Sequence, residues 1–397
     1  MNPQTCLYRK YPKGRCIMPI SPELTSRLTR EFEWFHRHPE TALQEVGTTA
    51  HIRALLQENG IELLDFPLKT GVVAIVRGAG EGPVVALRAD IDALPIDEKT
   101  ALPYCSENAG RMHACGHDFH TTALLGAAVL LAQRRARLDG TVKLLFQPAE
   151  EAAHGAEKVA ATGILHDVSR IFGLHVAAMA EPGHIYIVKG PDSAAVDRFT
   201  VTLTGKGCHA AHPNMGADPI VAAAGLIQLF QTVVSRNVNP FDPAVVSVTH
   251  VQAGDTWNVI PAVARMEGTV RTLKPDTRRF IRDRLAEICA GARQSLGVEA
   301  AFEWAPGAPS TNNDPALIDF VRHTAESLGF AVSEGERSMG GEDFSVYQQT
   351  IPGAFFHIGV GGAYPGHNPK FQVDETVLPR AAELMAAVGE RALGLGE

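Results

Sequence analysis

The chain has 397 residues, of which 45% are hydrophobic and 20% are charged, and its formal net charge is −8. This length allows more than one domain, and the composition is that of an ordinary globular protein. The negative charge and the lack of a dense Lys/Arg run argue against nucleic acid as a partner. The most apolar stretch, near residues 123–132, is about half as long as a membrane span, so we expect no membrane segment.

The N-terminus and the cysteines indicate a cytoplasmic protein. Residues 1–20 carry four basic side chains with no apolar block behind them, which predicts an N-terminal extension rather than a cleavable signal peptide. The six cysteines are scattered, and a chain of this length does not need disulfides. Reduced thiols are the better interpretation, and they leave Cys115 available for metal chemistry.

Residues 21–190 alternate helical and strand patterns. A helix begins at Ser21, and a second helix ends at Gly60. Short apolar runs predict buried strands, at residues 72–76, 84–88, 142–146 and 171–175. The helix predicted from His120 to Leu138 is apolar on nearly every side, which indicates a core position. This alternation predicts an α/β fold with a central mixed sheet flanked by helices.

From about Pro191 the pattern changes to strand, helix, strand, strand, helix, strand. That order is typical of a small α+β open-faced sandwich of the ferredoxin-like type. The Pro/Gly-rich stretch 306–309 resembles a linker out of this region, and the elements after it can rejoin the first sheet. We therefore predict an insertion at 191–306 between the two parts of a discontinuous domain, 21–190 and 307–397.

The strongest local signal is HACGHDFH at residues 113–120. A Cys-x-His pair in an extended loop points both side chains to one side, so Cys115 and His117 can reach the same cation. One histidine here would indicate only a polar loop before a buried helix, but the density of metal-binding side chains favours a metal site. Asp90 and Asp92 follow another strand and can support the ligands, although a turn role is nearly as frequent.

Adjacent carboxylates, Glu150 and Glu151, follow the strand predicted at 142–146. Neighbouring side chains at a strand end point apart, so one can bind a metal while the other accepts a proton from water. Taken alone, such a pair more often marks a solvated helix N-terminus. Two single histidines are His175 at a strand end and His367 in a Gly/Pro turn. Each indicates a metal site only in combination with the residues named above.

Several short blocks occur in unbroken order over nearly all of the chain after Ser21. They are RADIDALP, MHACGHDFHT, FQPAEE, GLHV, GKGCHAAHP, NVIP, GTVRT, MGGEDFS and a final His-Asn-Pro. Together they resemble the amidohydrolase branch of the aminoacylase and metallo-carboxypeptidase superfamily. That branch contains hippurate hydrolases, bacterial N-acyl-amino-acid amidohydrolases and plant auxin-conjugate hydrolases.

The resemblance implies two divalent ions per subunit, held by five ligands: Cys115, His117, Glu151, His175 and His367. Zinc or manganese suits this mixed donor set best, and cobalt or nickel can also bind. The resemblance further implies that Glu150 is the general base and that the cysteine bridges the two ions. The discontinuous domain would be catalytic, and the insertion would be a lid and dimerisation domain, giving a homodimer or higher homo-oligomer.

The resemblance also assigns residues of the insertion. His209 resembles a histidine that stabilises the oxyanion in the partner subunit's site, and Asn258 and Arg271 resemble groups that hold the substrate. Three positions depart from the family pattern, namely Cys208, His212 and Asn214. Since these lie in the insertion, they bear on substrate preference more than on metal chemistry.

The implied function is metal-dependent hydrolysis of the amide bond of small N-acyl amino acids, such as acetyl, benzoyl or indoleacetyl conjugates. A dipeptidase and an N-acetyl-diaminopimelate deacetylase are alternatives on the same centre. A non-catalytic protein that binds amino-acid conjugates is an alternative of another class, but such a protein has no use for both Glu150 and Glu151. A structural zinc protein is disfavoured because structural sites usually close with four Cys and His ligands.

Overall fold

The computed structural model describes residues 20–152 and 154–395. Chain contacts divide the molecule into two units. The first unit takes in the chain up to Gly190, Asn312–Glu336 and the chain from Val346, and the second unit takes in Pro191–Thr311 and Arg337–Ser345. The domain limits expected from the sequence stay a prediction, and the N-terminal extension falls, except for Ile20, outside the described residues.

The secondary structure follows the predicted order. The α-helices of the described residues are α1 (Pro22–Arg37), α2 (Val46–Glu58), α3 (His117–Gln133), α4 (Gly155–Ala161), α5 (Pro219–Thr232), α6 (Pro275–Ala290), α7 (Ala292–Leu296), α8 (Pro315–Ser327) and α9 (Leu378–Ala392). The strands are β1 (Glu62–Leu63), β2 (Val72–Arg77), β3 (Gly80–Asp90), β4 (Asp139–Gln147), β5 (Val168–Ala177), β6 (Ile185–Ile187), β7 (Gly190–Ser193), β8 (Ala195–Thr204), β9 (Cys208–His209), β10 (Ala244–Ala253), β11 (Val259–Ile260), β12 (Val263–Thr272), β13 (Glu299–Pro306), β14 (Thr311–Asn313), β15 (Val332–Glu334) and β16 (Gly353–Gly359).

An eight-stranded sheet organises the first unit, in the order β1-β2-β4-β3-β5-β16-β6-β15. Strand β3 runs parallel to both β4 and β5, and β5 runs parallel to β16, whereas β2 is antiparallel to β4. The central strands are buried on both faces, as expected where helices cover a parallel sheet. The predicted central mixed sheet flanked by helices is confirmed.

Helix α3 lies in the core of the first unit. Nearly all of its side chains are buried, which agrees with its apolar sequence. It begins at His117, three residues before the predicted start, because Gly116 adopts a left-handed conformation (φ 85°) that turns the chain sharply into the helix. A Cβ on Gly116 would lie 2.5 Å from Cγ2 of Val176, so the turn requires glycine.

The second unit contains an antiparallel four-stranded sheet in the order β10-β12-β8-β13. Helices α5 and α6 pack on this sheet through a core that includes Phe199, Leu226, Phe230, Ile281 and Leu285. In β12 buried residues alternate with more exposed ones, which is the pattern of a sheet covered on one face. The predicted ferredoxin-like open-faced sandwich is therefore present.

One helical stretch in the described chain, Pro219–Asn237, is long and apolar enough to cross a membrane by length and composition alone. Its residues Leu226 and Phe230 are buried in the core of the second unit. Ile220 and Val221, at its start, are exposed. A single stretch of this kind is weak evidence for a membrane span.

Candidate metal centre

Two groups of three donor atoms share the thiol of Cys115. One group consists of Cys115, His117 and His175, the other of Cys115, Glu151 and His367, and within each group all donor atoms lie within 4.8 Å of one another. Sγ of Cys115 is 3.6 Å from Nε2 of His175, and Nε2 of His367 is 3.3 Å from Oε1 of Glu151. The five residues expected as ligands thus lie together in the first unit, and we call them the five-residue centre.

The chemistry of the five-residue centre fits divalent cations. Nε2 of His117 is buried and makes no hydrogen bond within the described chain, which is costly unless another group satisfies it. Burial raises the pKa of the Cys115 thiol to about 12, so a neighbouring cation is what would ionise it. A thiolate, three imidazoles and a carboxylate form a donor set that zinc and other first-row divalent metals accept.

Hydrogen bonds orient the two histidines that face Cys115. Nδ1 of His117 lies 2.8 Å from the backbone oxygen of Asp92, and Nδ1 of His175 lies 2.8 Å from the backbone oxygen of Val176. Each ring therefore donates from Nδ1 to a carbonyl and turns Nε2 towards the centre. Such contacts from behind fix both the tautomer and the angle of a metal-binding imidazole.

His120 lies beside His175, with ring centroids 4.5 Å apart, but it has different partners. Its Nδ1 is 2.6 Å from Oδ1 of Asp90, and its Nε2 accepts the backbone N–H of Val176 at 2.9 Å. The donor atoms of Asp90, His117 and His120 also lie within 4.8 Å of one another. Because both ring nitrogens of His120 are engaged, we interpret this third group as support for the centre rather than as a metal site.

A buried polar layer lies under the centre, and the sequence indicated only part of it. Nη1 of Arg88 donates to Oδ2 of Asp90 at 2.6 Å, and Nε of Arg88 donates to Oε1 of Gln147 at 2.8 Å. The hydroxyl of Tyr347 donates to the same amide oxygen. Burial opposes the ionisation of Asp90, but the positive charges of His117 and Arg88 hold its pKa well below the ordinary value. Asp90 was a sequence candidate, whereas nothing in the local pattern pointed to the other members of this layer.

The acidic pair follows β4 on a tight turn. Ala149 has φ 59°, and the next two residues, Glu150 and Glu151, place side-chain oxygens near His117. The carboxylate of Asp92 accepts the backbone N–H of Glu150 at Oδ1 and that of Glu151 at Oδ2, both at 3.0 Å. One buried carboxylate therefore fixes the backbone of the pair. Donor atoms of Glu150, Glu151 and His117 lie within 4.8 Å of one another, so the two carboxylates converge on one imidazole and do not point apart as expected.

A buried charged triad lies behind the Cys-His loop. Nδ1 of His36 is 2.6 Å from Oδ2 of Asp118, and Nε2 of His36 is 3.3 Å from Oε1 of Glu98. Burial disfavours the imidazolium, but hydrogen bonds to Asp118 and Glu98 outweigh it and raise the pKa of His36 to about 10. Oδ1 of Asp118 also accepts the backbone N–H of Phe119 at 2.9 Å, so the carboxylate that pairs with His36 fixes the chain just after His117.

The other expected site residues lie in the second unit. Strands β9 and β11 pair, and the N–H of Ala210 donates to the backbone oxygen of Asn258 at 3.0 Å, so His209 and Asn258 are neighbours. His209 is exposed, and its ring lies 5.5 Å from that of His212. Arg271 is half-buried on β12, and burial lowers the pKa of its guanidinium. The roles expected of these residues stay predictions.

Comparison with known proteins gives consistent matches over most of the chain. An N-acetylcysteine deacetylase of Bacillus subtilis (strain 168) is 49% identical over 352 residues, which are 88% of this chain and 93% of the relative. An IAA-amino acid hydrolase of Arabidopsis thaliana, ILR1-like 4, is 39% identical over 91% of this chain and 86% of its own length.

A solved structure agrees with these relatives. The crystal structure of the Bacillus subtilis YXEP protein, described as a dinuclear metal binding peptidase from the M20 family, superposes with a TM-score of 0.87. It is 44% identical and covers 95% of this chain and 100% of its own. Residues 86–391 match the model of Peptidase family M20/M25/M40. These matches confirm the resemblance found in the sequence motifs, and the chain belongs to the M20/M25/M40 peptidase family.

Proposed function

We propose that this protein hydrolyses the amide bond of small N-acyl amino acids at a pair of divalent cations. The observation that carries the proposal is the sharing of Cys115 by two donor groups, with the carboxylate of Glu150 beside them. Cys115, His117 and His175 would hold one cation, and Cys115, Glu151 and His367 would hold the other. The similar deacetylase and IAA-amino acid hydrolase are named for reactions on N-acylated amino acids, which supports this substrate class.

The chemistry divides between the cations and the side chains. When bound, two cations would polarise the amide carbonyl and lower the pKa of the attacking water. Glu150 accepts the proton from that water as its oxygen attacks the acyl carbon, and then passes the proton to the leaving amine. Asp92 accepts a hydrogen bond from the backbone N–H of Glu150 and so fixes the position of this base. The products are a carboxylate and a free amino acid.

Residues of the second unit would complete the site. We propose that His209 donates a hydrogen bond to the oxyanion in the partner subunit's site, a contribution worth roughly 3–4 kcal/mol for a well-placed donor. Asn258, its neighbour through the β9–β11 pair, would contact the substrate amide. Arg271 would bind the carboxylate of the amino acid, for which its planar guanidinium is suited.

We also propose a soluble cytoplasmic homodimer formed through the second unit. Strand β10 is an edge of its sheet, and Val245 and Val251 on it are exposed. Ile220, Val221 and Leu229 of α5 are exposed as well. An open strand edge beside apolar side chains is the kind of surface that a second copy of the chain covers.

The test is a substrate panel on protein from which metal has been removed by a chelator. Acetyl-, benzoyl- and indoleacetyl-amino acids are offered after Mn²⁺, Zn²⁺ or Co²⁺ is added back, and the released amine is measured. Dipeptides and N-acetyl-diaminopimelate are included as well. If either is hydrolysed faster than the other conjugates, the protein is a dipeptidase or an N-acetyl-diaminopimelate deacetylase instead. Binding of the conjugates without release of amine under any metal would support a non-catalytic binding protein and contradict the proposal.

A further inference from the structure

The turn that carries the acidic pair is held by three consecutive backbone N–H groups. Those of Glu150 and Glu151 donate to Asp92, and that of Ala149 donates to Oε1 of Glu45 at 2.8 Å. Ala149 is fully buried and has φ 59°, a left-handed conformation that is unfavourable for a residue with a Cβ. The turn is therefore strained, and Glu45 accepts the hydrogen bond at the strained residue itself.

Glu45 occupies the N-cap position of α2, but it does not cap that helix. An acidic residue at an N-cap normally accepts the N–H groups of its own first turn. In α2 those groups, the N–H of Gly47 and of Thr48, donate instead to the two carboxylate oxygens of Glu40, at 3.0 and 2.8 Å. The side chain of Glu45 makes no capping hydrogen bond. Because Glu40 takes over the capping role, the Glu45 carboxylate can point inward to Ala149.

Placing this carboxylate in the core is unfavourable for folding alone. Glu45 has an exposed fraction of 0%, and Oε2 makes no hydrogen bond to the residues that the structure describes. Burial, with the nearby charge of Asp92, raises the pKa of Glu45. A buried acidic group with one oxygen unsatisfied destabilises the folded protein, so its presence calls for an explanation. Its other oxygen, Oε1, accepts the N–H of Ala149 in the turn of the acidic pair. The side chain of Thr70 and the backbone of Leu43 also lie near enough to this carboxylate to offset part of the rise in its pKa.

We propose that Glu45 is a positioning residue for the reaction: through the N–H of Ala149 it fixes the turn from which Glu150 and Glu151 extend. It touches neither substrate nor metal. Asp92 fixes the second half of the turn and Glu45 fixes the first, so that loss of either contact lets both carboxylates move. This inference rests on the proposed function for the role of Glu150, but the contact at Ala149 can also be tested without substrate.

The experiment compares Glu45→Met with Glu45→Gln. Methionine fills a similar volume but offers no strong acceptor, whereas glutamine keeps an amide oxygen for the N–H of Ala149. Glu45→Met is expected to lower kcat roughly 10- to 100-fold with little change in KM, as follows when a reacting group is displaced by about 1 Å. Glu45→Gln is expected to stay within about threefold of the parent. Glu45→Asp, whose carboxylate is drawn back from Ala149, replaces Glu45→Met if that variant does not fold.

Glu40→Met is the matched control, since it removes a carboxylate from the same helix start without touching the turn. It should lower the melting temperature and leave kcat within about twofold. Zinc release into a chelator is the second measurement, because displacement of Glu151 should speed release from Glu45→Met and not from Glu40→Met. The inference would be overturned if Glu45→Met and Glu40→Met had equal kcat and equal rates of zinc release. It would also be overturned if Glu45→Gln lost as much kcat as Glu45→Met. If the parent hydrolyses no N-acyl amino acid, the proposed function fails, while zinc release still tests the role of Glu45.

Discussion

Sγ of Cys115 lies 3.6 Å from Nε2 of His175, and the same sulfur belongs to the donor group of Glu151 and His367. A single thiolate at this position would contribute negative charge to two cations at once. Two divalent ions in one buried site would repel each other strongly. A ligand that carries negative charge would offset that repulsion, which a neutral imidazole does not.

Replacing the shared thiol should therefore affect both cations. Cys115→Ala is expected to lower the affinity for both zinc ions by at least roughly tenfold. His175→Ala and His367→Ala should each lower the affinity for mainly one of the two ions. Equilibrium dialysis of purified protein against zinc, with the bound metal counted by mass spectrometry, separates these patterns. If Cys115→Ala keeps one equivalent as tightly as the parent, the sulfur serves only one of the two positions.

Replacing the proposed base should separate metal binding from turnover. Glu150→Gln keeps the shape of the side chain but accepts no proton, so kcat should fall by roughly 10²–10⁴-fold while zinc stoichiometry is unchanged. Glu151→Gln is the comparison, because it should lose metal as well as activity. Activity of Glu150→Gln within about tenfold of the parent would show that another group takes the proton.

The triad behind the Cys-His loop predicts a pH-dependent stability. The pKa of His36 rises from 6.5 to about 10 on folding, so its contribution is fully present below pH 6.5 and is lost as the pH rises through 10. Removing one member of a buried ion pair typically costs about 3–5 kcal/mol. His36→Gln should therefore lower the melting temperature clearly at pH 6 and by much less at pH 10. A gap between parent and variant that is constant over this range would mean that His36 is not charged in the folded protein.

The placement of His209 in the partner's site predicts complementation. His209→Ala and Glu150→Gln should each be nearly inactive alone. A heterodimer of the two has one site with an intact base that receives an intact His209, so random mixing should restore about a quarter of the parent activity. The activity is measured after the two proteins are mixed under conditions that exchange subunits. No recovery in a mixture shown to contain heterodimers would place His209 in the site of its own subunit.

The sequence predicted those parts of the site that depend on local patterns. Cys115 and His117 lie close together in the chain, and Glu150 and Glu151 follow a strand whose apolar run is easily recognised. The start of α3 was wrong by three residues because the pattern of apolar residues does not reveal the left-handed Gly116.

The supporting residues could not be predicted in the same way. His120 looks like a fourth metal-binding histidine of the same block, and only its contacts with Asp90 and the N–H of Val176 show that both nitrogens are engaged. Glu45 sits where a helix cap is expected, and its contact with Ala149 bridges residues 104 positions apart. Such partners depend on how the sheet and helices pack, which no short stretch of sequence records.

The five-residue centre draws its side chains from the loop that leads into α3 and the first residue of that helix, the turn after β4, strand β5 and the loop of His367, which follows β16. The fourth of these segments is made long after the first during synthesis. A fragment that ends before His367, whether released early by the ribosome or cut by a protease, keeps Cys115, His117 and His175 but lacks a ligand of the second group. Such a fragment also lacks α9, the buried helix that packs on α3, so both the second donor group and the support of the first depend on the C-terminal segment.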